Sequence, residues 1–558
     1  MDPEVFPPTR ITCGLPMRKS SSQLQREGSS PNWTSLRMSC CWTDMQTGKC
    51  SHGGAEDLTS NVAPRGGLTF GPLIRTADPD VMKAEISKLM TAGGGDGPEM
   101  AYSGLQMTLT GTPASSHVFV FTDAPAKDVE LKDTKSTVSF LMTGVLSRRR
   151  RAVYTASLND YKVLALASGG QAIEVSKREL PQATDIILDT STSALVTVLQ
   201  RARNPGKAET FSFMLDGSLS KVTIYITGTA ISFTLTNPSG VSQTSTEATG
   251  KLGTIKSTGN LRRIILNPDK ASGKSKLQIN SNQPYTYSVP GQSTITFIYD
   301  FVEKFDGPHP GYAVISGQPF AGQPATIMLN VMGKKGPSSL EIGKVGVVAM
   351  SASESITYGE TTDMGNGAVL VTLKAIPSGE FVIVHQGTDK VSGSEYERQS
   401  TTQMSVSKVN IEAAVTGTME PGKTFTIPFS VITQGLSGEF IINAQNDKDY
   451  PMTKPNRLTL TSGKYTNSSL TITPGINTVP GTDVTVTIDA KSVVGADSNY
   501  AVLRFTVINK GGAHGGHLSS SLLIFDFYHR SVLKSASGVA PPSAQQDGFR
   551  ASVGRAIL

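Results

Sequence analysis

The stretch that decides the fold is residues 117–124, HVFVFTDA. Its four consecutive apolar residues, 118–121, are typical of a strand buried on both faces of a parallel sheet. The run ends at Thr122 and Asp123. An aspartate at the carboxyl end of such a strand lies where open α/β sheets bind ligands. The stretch therefore predicts an α/β unit in which Asp123 lies at the ligand-binding end of a strand.

A second acidic segment precedes this strand. Residues 93–97, GGGDG, form a flexible turn that carries Asp96, and Pro98 and Glu99 suit the first turn of a helix. If this turn faces the same crevice, the carboxylates of Asp96 and Asp123 converge on one hard cation, with Glu99 as a poorer ligand.

Four motifs together resemble the von Willebrand A domain of the family that includes von Willebrand factor A domain-containing protein 7 and the hemicentins. They are TAGGGDGPEM (91–100), FTDAPAKD (121–128), SFLMTGVLSRRRR (139–151) and DYKVLALASGGQAIEV (160–175). The resemblance implies a doubly wound α/β domain with a metal-ion-dependent adhesion site for Mg²⁺ or Ca²⁺. It also implies that Asp96 and Asp123 are ligands, and that the protein is extracellular and binds other proteins or matrix components.

The chain departs from the family pattern at the most important point. The family's Asp-x-Ser-x-Ser motif at the end of the first strand is absent upstream, and residues 68–76, LTFGPLIRT, resemble the fourth-strand neighbourhood instead. The sequence thus resembles an abbreviated A domain without its first half. We expect weak or no metal binding, and no cofactor in this form.

Residues 189–193, DTSTS, satisfy the missing motif literally but lie after the other A-domain motifs. The apolar residues 186–188 before them suggest a strand, and the ALVTVLQRA segment at 194–202 suggests a helix. A metal site here would require a circularly permuted sheet. The favoured interpretation is a Ser/Thr-rich helix cap.

The remaining chain alternates apolar residues with Thr and Ser, as in half-buried antiparallel strands. The fold predicted is multidomain: a partial α/β, doubly wound, von Willebrand A-like domain followed by three all-β sandwiches. By the resemblance, the first sandwich is galactose-binding-like and the later two are immunoglobulin-like. The predicted segments are a poorly ordered remnant (1–67), the partial A-like domain (68–197), the sandwiches (198–303, 304–403 and 404–510) and a disordered tail (511–558).

The balance of 51 Lys and Arg against 45 Asp and Glu is mildly basic. The basic run at 148–151 has three interpretations: a solvated loop, which is favoured, a heparin or nucleic-acid contact, or a processing site. One short run lacks the extended basic surface that nucleic-acid binding needs, so no nucleic-acid partner is predicted.

All four cysteines lie in residues 1–50, which excludes a disulfide framework for the β region.

The sequence shows no apolar segment long enough for a secretory signal or a transmembrane helix. We expect secretion from the resemblance alone, in which case Asn32 and Asn467 are glycosylation acceptors.

In the tail, His514 and His517 lie in a glycine-rich segment that predicts no metal site. The apolar run LLIFDF (522–527) is either an orphan strand or an adhesive segment.

No nucleophile elbow, zinc helix motif or phosphate-binding loop occurs in the sequence, so we predict that the protein is not an enzyme. The first hypothesis is a noncatalytic extracellular adhesion or matrix-associated protein that interacts with other proteins. The second is a structural spacer without a ligand. The third is a carbohydrate-binding module in residues 198–303.

Overall fold

The computed structural model of the chain describes residues 9–12, 36–39, 78–87, 101–110, 116–123, 126, 136–143, 151–190, 194–268, 272–305, 311–315, 317–351, 355–413, 418–494 and 497–508. Two short strands come first, β1 (Thr9–Thr12) and β2 (Leu36–Ser39), and they pair in parallel. They lie within the segment 1–67, for which the sequence predicts little order. β1 lies alongside the first strand of the α/β unit.

The α/β unit contains three parallel strands in the order β3–β4–β5. Its elements are α1 (Pro79–Ser87), α2 (Ala101–Thr110), β3 (His117–Thr122), β4 (Thr137–Thr143), α3 (Arg151–Ser168), β5 (Ala172–Val175), α4 (Leu180–Ala183) and α5 (Asp185–Thr190). In α3, Tyr161, Leu164, Ala165 and Ser168 are buried at helical spacing, and the helix ends at Gly169, whose φ is +79°.

Both faces of this parallel sheet are covered. Val118, Val120 and Phe140 point to α2 and α3, whereas Phe119 and Leu141 point to α4 and α5. Tyr225 and Leu261, which belong to the following β-sandwich, complete the second layer. The partial sheet therefore buries its apolar residues against helices on one side and against helices plus a neighbouring domain on the other.

The first sandwich packs two antiparallel sheets around one apolar core. Its strands alternate buried and exposed residues, most clearly in GKSKLQIN at 273–280. They are β6 (Leu195–Arg203), β7 (Glu209–Leu215), β8 (Thr223–Gly228), β9 (Ser232–Thr236), β10 (Ser242–Thr244), β11 (Gly253–Thr258), β12 (Leu261–Leu266), β13 (Gly273–Asn280) and β14 (Tyr285–Gln292). One sheet has the order β10–β9–β13–β7.

The second sandwich continues the other sheet of the first. Its strands are β15 (Thr296–Phe305), β16 (Gly311–Val314), β17 (Ala325–Met332), β18 (Leu340–Ala349), β19 (Thr357–Tyr358), β20 (Glu360–Gly365), β21 (Ala368–Leu373), β22 (Phe381–Asp389) and β23 (Ser394–Gln399). A nine-stranded sheet runs β11–β12–β8–β14–β6–β23–β22–β18–β19, joined between the domains where Thr197 pairs with Gln399. The opposing sheet is β16–β15–β17–β21–β20.

The third sandwich has its own core and two four-stranded sheets. Its strands are β24 (Val409–Ala413), β25 (Phe425–Thr433), β26 (Gly438–Asn446), β27 (Met452–Thr453), β28 (Arg457–Leu460), β29 (Thr466–Ile472), β30 (Asp483–Ser492) and β31 (Ser498–Thr506). Asn499 joins it to the second sandwich, because its side chain bonds the backbone of Gln318 and Val409.

The predicted fold class, an α/β unit followed by β-sandwiches, is confirmed. Two local predictions are wrong. Residues 186–188 belong to helix α5 rather than to a strand, and 194–202 form strand β6 rather than a helix. β15 starts at Thr296, ahead of the predicted boundary at 303, and belongs to the sheet of the second sandwich. Among the described helices, none is long and apolar enough to cross a membrane.

Candidate functional site

Asp123 lies directly after β3, at the carboxyl edge of the parallel sheet, as the sequence predicts. Lys177, which follows β5 at the same edge, places its Nζ 3.7 Å from Oδ2 of Asp123. The Asp123 side chain is only 9% exposed, whereas Lys177 is 62% exposed. The edge thus brings together a buried carboxylate and a solvated ammonium group.

The Asp123–Lys177 pair by itself is not a divalent cation site. Such a site needs several oxygen ligands, and the ammonium group of Lys177 already balances the charge of Asp123. In the part of the chain that the structure describes, no group of three or more His, Cys, Asp or Glu residues could hold a metal ion. Asp96 and Glu99 lie outside that part, so their convergence with Asp123 stays a prediction.

The aspartate of the misplaced Asp-x-Ser-x-Ser sequence has a structural partner. Asp189, near the end of α5, accepts hydrogen bonds from Nε and Nη2 of Arg263 and, at 2.6 Å, from the Tyr225 hydroxyl. Asp185 lies 3.0 Å from the same guanidinium group and 3.0 Å from Nζ of Lys256. These groups fix the α/β unit to the first sandwich, so Asp189 serves a domain junction.

Burial and neighbouring charges shift the pKa values of Tyr225 and Arg263 at this junction. Because Tyr225 is enclosed and faces the Asp189 carboxylate, its pKa is raised well above the usual range. Burial alone would lower the pKa of Arg263, but the hydrogen bonds and charge of Asp189 outweigh it and raise that pKa. Tyr225 and Arg263 therefore keep their protons throughout the physiological range, so both remain hydrogen-bond donors to Asp189.

Backbone contacts tighten the same junction. The side chain of Asn260 accepts a hydrogen bond from the backbone N–H of Glu174 at 2.8 Å and donates one to the Ala172 carbonyl at 3.2 Å. Gly259, with a φ of +55°, approaches so closely that a Cβ would lie 1.9 Å from the Glu174 carbonyl oxygen. Only glycine allows the hairpin of the sandwich to reach β5 in this way.

A second buried junction connects the two sandwiches. Arg398 and Asp216 form an ion pair at 2.7 Å with side chains that are 1% and 2% exposed. Ser218 and Ser293 accept further hydrogen bonds from the guanidinium group, and the Ile295 carbonyl accepts one from its Nε. The guanidinium is thereby surrounded by acceptors, which is the condition under which a buried charge is tolerated.

The α/β unit also contacts the second sandwich at its linker. The backbone N–H of Gln403 donates to the Ala167 carbonyl at 2.8 Å, and Gly169 lies against the carbonyl of Thr401. Gln200 of the first sandwich donates to the carbonyls of Ser400 and Thr401. Residues 400–403 are therefore the point at which three domains meet.

Sequence reasoning missed these junction residues, although one signal was available. Charged residues inside otherwise apolar strands, such as Arg262 and Arg263 in LRRIIL at 261–266, indicate buried pairing when they cannot all face solvent. The partner of each charge is distant in sequence and could not be identified. Of the predicted glycosylation acceptors, Asn467 is exposed on β29, and Asn32 lies outside the described residues.

Comparison with known families agrees with this architecture. Residues 68–177 match the von Willebrand factor A domain model, residues 195–294 the hemicentin galactose-binding domain-like model, and residues 408–509 the VWA7 Ig-like domain model. The chain is homologous to von Willebrand factor A domain-containing protein 7 and to the hemicentins. This confirms the family resemblance of the sequence motifs.

The human von Willebrand factor A domain-containing protein 7 is 33% identical over 278 residues, which are 47% of this chain and 31% of that protein. Mouse hemicentin-1 is 25% identical over 280 residues, covering 49% of this chain and 5% of that protein. The chain thus spans less than a third of the length of these relatives. Among solved structures, a DUF4785 family protein from Legionella pneumophila has 11% identity and a TM-score of 0.31, covering 57% of this chain and 91% of that one.

Proposed function

We propose that this chain is a noncatalytic, extracellular protein-interaction scaffold, which displays an A-like α/β unit on a rigid pair of β-sandwiches. The proposal rests on the packing of the parallel sheet on the first sandwich, with Asp123 and Lys177 paired at the carboxyl edge of the sheet. Homology to von Willebrand factor A domain-containing protein 7 and the hemicentins supports a role in binding other proteins.

Binding by this scaffold is independent of divalent cations in our proposal. Asp123 faces Lys177, and the described residues at the sheet edge supply no set of oxygen ligands. A partner would therefore contact the exposed ammonium group of Lys177, which the buried Asp123 carboxylate positions. Surface charges that complement those of a partner orient it and exclude partners of the wrong charge.

A solid-phase adhesion assay tests this role. Surfaces coated with the chain are offered to cells and to purified matrix proteins, in buffer with Mg²⁺ and Ca²⁺ and in buffer with EDTA. We expect saturable binding in both buffers. Asp123→Ala should lower the affinity about tenfold, because the buried carboxylate fixes the position of the exposed Lys177 ammonium group that the partner contacts. Asp363→Ala, at an exposed position on β20, is the matched control and should bind normally. Binding that disappears in EDTA would contradict cation independence.

A structural spacer is the alternative, and the continuous nine-stranded sheet favours it, because such a sheet fixes the distance between domains. Unchanged binding after Asp123→Ala would support the spacer.

Carbohydrate binding by the first sandwich is a further alternative, supported by the match of residues 195–294 to a galactose-binding domain-like family. Specific glycan-array binding by the whole chain would support that alternative.

The proposed extracellular location has its own test. Asn467 is exposed on β29 and begins an Asn-Ser-Ser acceptor sequence. When the chain is directed through the secretory pathway of cultured cells, we expect a glycan at Asn467, visible as a mass shift that a glycosidase removes. Asn467→Gln should abolish the shift at that site, and Asn410→Gln, at a strand position without an acceptor sequence, should not.

A further inference from the structure

Three exposed apolar residues lie at the end of the third sandwich where its last described strand finishes. Ile476 is 81% exposed, Val479 is 70% exposed and Ile508 is 37% exposed. We call these three residues the exit patch. Isolated apolar side chains are common on protein surfaces, but a cluster at the end of one domain is typical of an interaction site.

Backbone hydrogen bonds hold the exit patch together. The Gly481 N–H donates to the Val507 carbonyl at 2.7 Å, and the Ile508 N–H donates to the Met419 carbonyl at 2.9 Å. Gly422 donates to Pro474 at 3.0 Å, and Ile476 packs directly over Gly422. Backbone hydrogen bonds thus connect the loop at 474–482 to the segment at 419–422 and to the end of the chain at 507–508.

The chain itself carries a complementary segment close to this patch. Residues 522–527, LLIFDF, contain five apolar residues and follow a Gly- and Ser-rich connection, 509–521. For a Gly- and Ser-rich sequence of this length, the random-coil relation gives a root-mean-square span of about 20 Å. Since it starts at Ile508, within the patch, the apolar segment is held near the patch at a high effective concentration.

We propose that residues 522–527 dock on the exit patch of the same molecule. The docked segment would bury the aliphatic side chains of Ile476, Val479 and Ile508 against its own Leu, Ile and Phe side chains. Burial of apolar surface drives such docking, and the short tether reduces its entropic cost. The segment would then cap the free end of the third sandwich.

Hydrogen exchange measured by mass spectrometry on the full chain tests the docking. We expect the amides of the loop at 474–482 to exchange about tenfold faster after truncation at Ile508, because local opening becomes easier without the cap. The double variant Leu523→Asp and Phe525→Asp should give the same result without shortening the chain. Ile476→Asp should in turn accelerate exchange within 522–527.

Leu436→Asp is the matched control, because Leu436 is 72% exposed at the opposite end of the same sandwich. It should leave exchange in 474–482 and 522–527 unchanged. Equal exchange of the loop in the full chain and in both tail variants would overturn the proposal. Protection that decreases on dilution, together with a dimer in light scattering, would also overturn it, because the patch would then bind a second copy.

Discussion

Arg398 shows how single residues hold this molecule together. Its guanidinium group pairs with Asp216 in full burial between two sandwiches, and each carries a charge that water cannot reach. Removing one member of such a pair leaves the other as an uncompensated buried charge. The resulting loss of stability is larger than the net stability that the intact pair contributes. The integrity of this junction therefore depends on both residues being present.

Arg398→Ala should lower the free energy of unfolding by about 3–5 kcal/mol, because Asp216 would be left as an unpaired buried carboxylate. Chemical denaturation followed by circular dichroism measures the change. Arg457→Ala is the control, since Arg457 and Glu439 form an ion pair whose side chains are 57% and 54% exposed. That variant should lose at most about 1 kcal/mol. Equal losses would show that the buried pair has no special role.

His385 gives the second sandwich a pH dependence. It lies in the core beside Phe297 and Tyr396, and burial, with a smaller contribution from the charge of Arg398, lowers its pKa from 6.5 to about 4. Between these values the unfolded chain binds a proton that the folded chain does not. The folded state is therefore most favoured above pH 6.5 and loses this contribution as the pH falls toward 4, by up to about 3 kcal/mol.

Replacing the imidazole tests this assignment. In His385→Phe, the part of the pH dependence between pH 6.5 and 4 that comes from this residue should disappear, because no group titrates at the site. Urea denaturation at several pH values, with the wild-type chain as reference, provides the comparison. If the two proteins show parallel pH profiles over that interval, His385 is not the group responsible.

At the scale of elements, the sequence predicts local burial better than it predicts long-range pairing. The apolar run before Asp123 is a parallel strand buried on both faces, as its pattern indicates. The ALVTVLQRA segment, by contrast, resembles a helix in sequence. In the structure, β6 is nearly all buried between β14 and β23. A strand loses its alternation when both of its faces are covered. Val196 and Val198 of β6 pack in the core of the first sandwich, whereas Ala202 packs against apolar residues of the second, which are distant in sequence.

The candidate site, too, could be predicted from the sequence only in part. The strand-end position of Asp123 follows from the sequence, because the run of apolar residues defines where β3 ends. Its neighbour Lys177 could not be predicted, since that contact depends on how β5 lies beside β4. Asp189 matched a metal-binding motif in sequence, yet its carboxylate is used by Arg263 from a strand far along the chain.

Gly259 lies at a contact between the first sandwich and β5 that leaves no room for a Cβ atom. In Gly259→Ala, the new Cβ would overlap the Glu174 carbonyl, so we expect the hairpin to move away from β5 and the melting temperature to fall by several degrees. Gly240→Ala is the control: its φ of +80° gives similar backbone strain, but no atom lies within 4 Å of the added Cβ. Thermal unfolding distinguishes steric from backbone effects, and equal shifts would contradict the close contact.

Across the whole chain, segments that match separate domain families pack closely against one another. The α/β sheet uses Tyr225 and Leu261 of the first sandwich as part of its own core. The first and second sandwiches share a sheet and the Arg398–Asp216 pair. An α/β unit of only three described strands is covered by this arrangement, so its stability should depend on the sandwiches beside it.

The most direct test of this account is hydrogen exchange across increasing denaturant, followed in peptides from β4, β8 and β22. We predict that all three strands become accessible to exchange at the same denaturant concentration, because buried junctions make the α/β unit and two sandwiches unfold together. Opening of β4 at clearly lower denaturant, while β8 and β22 remain protected, would show that the α/β unit is an independent domain and would contradict the account.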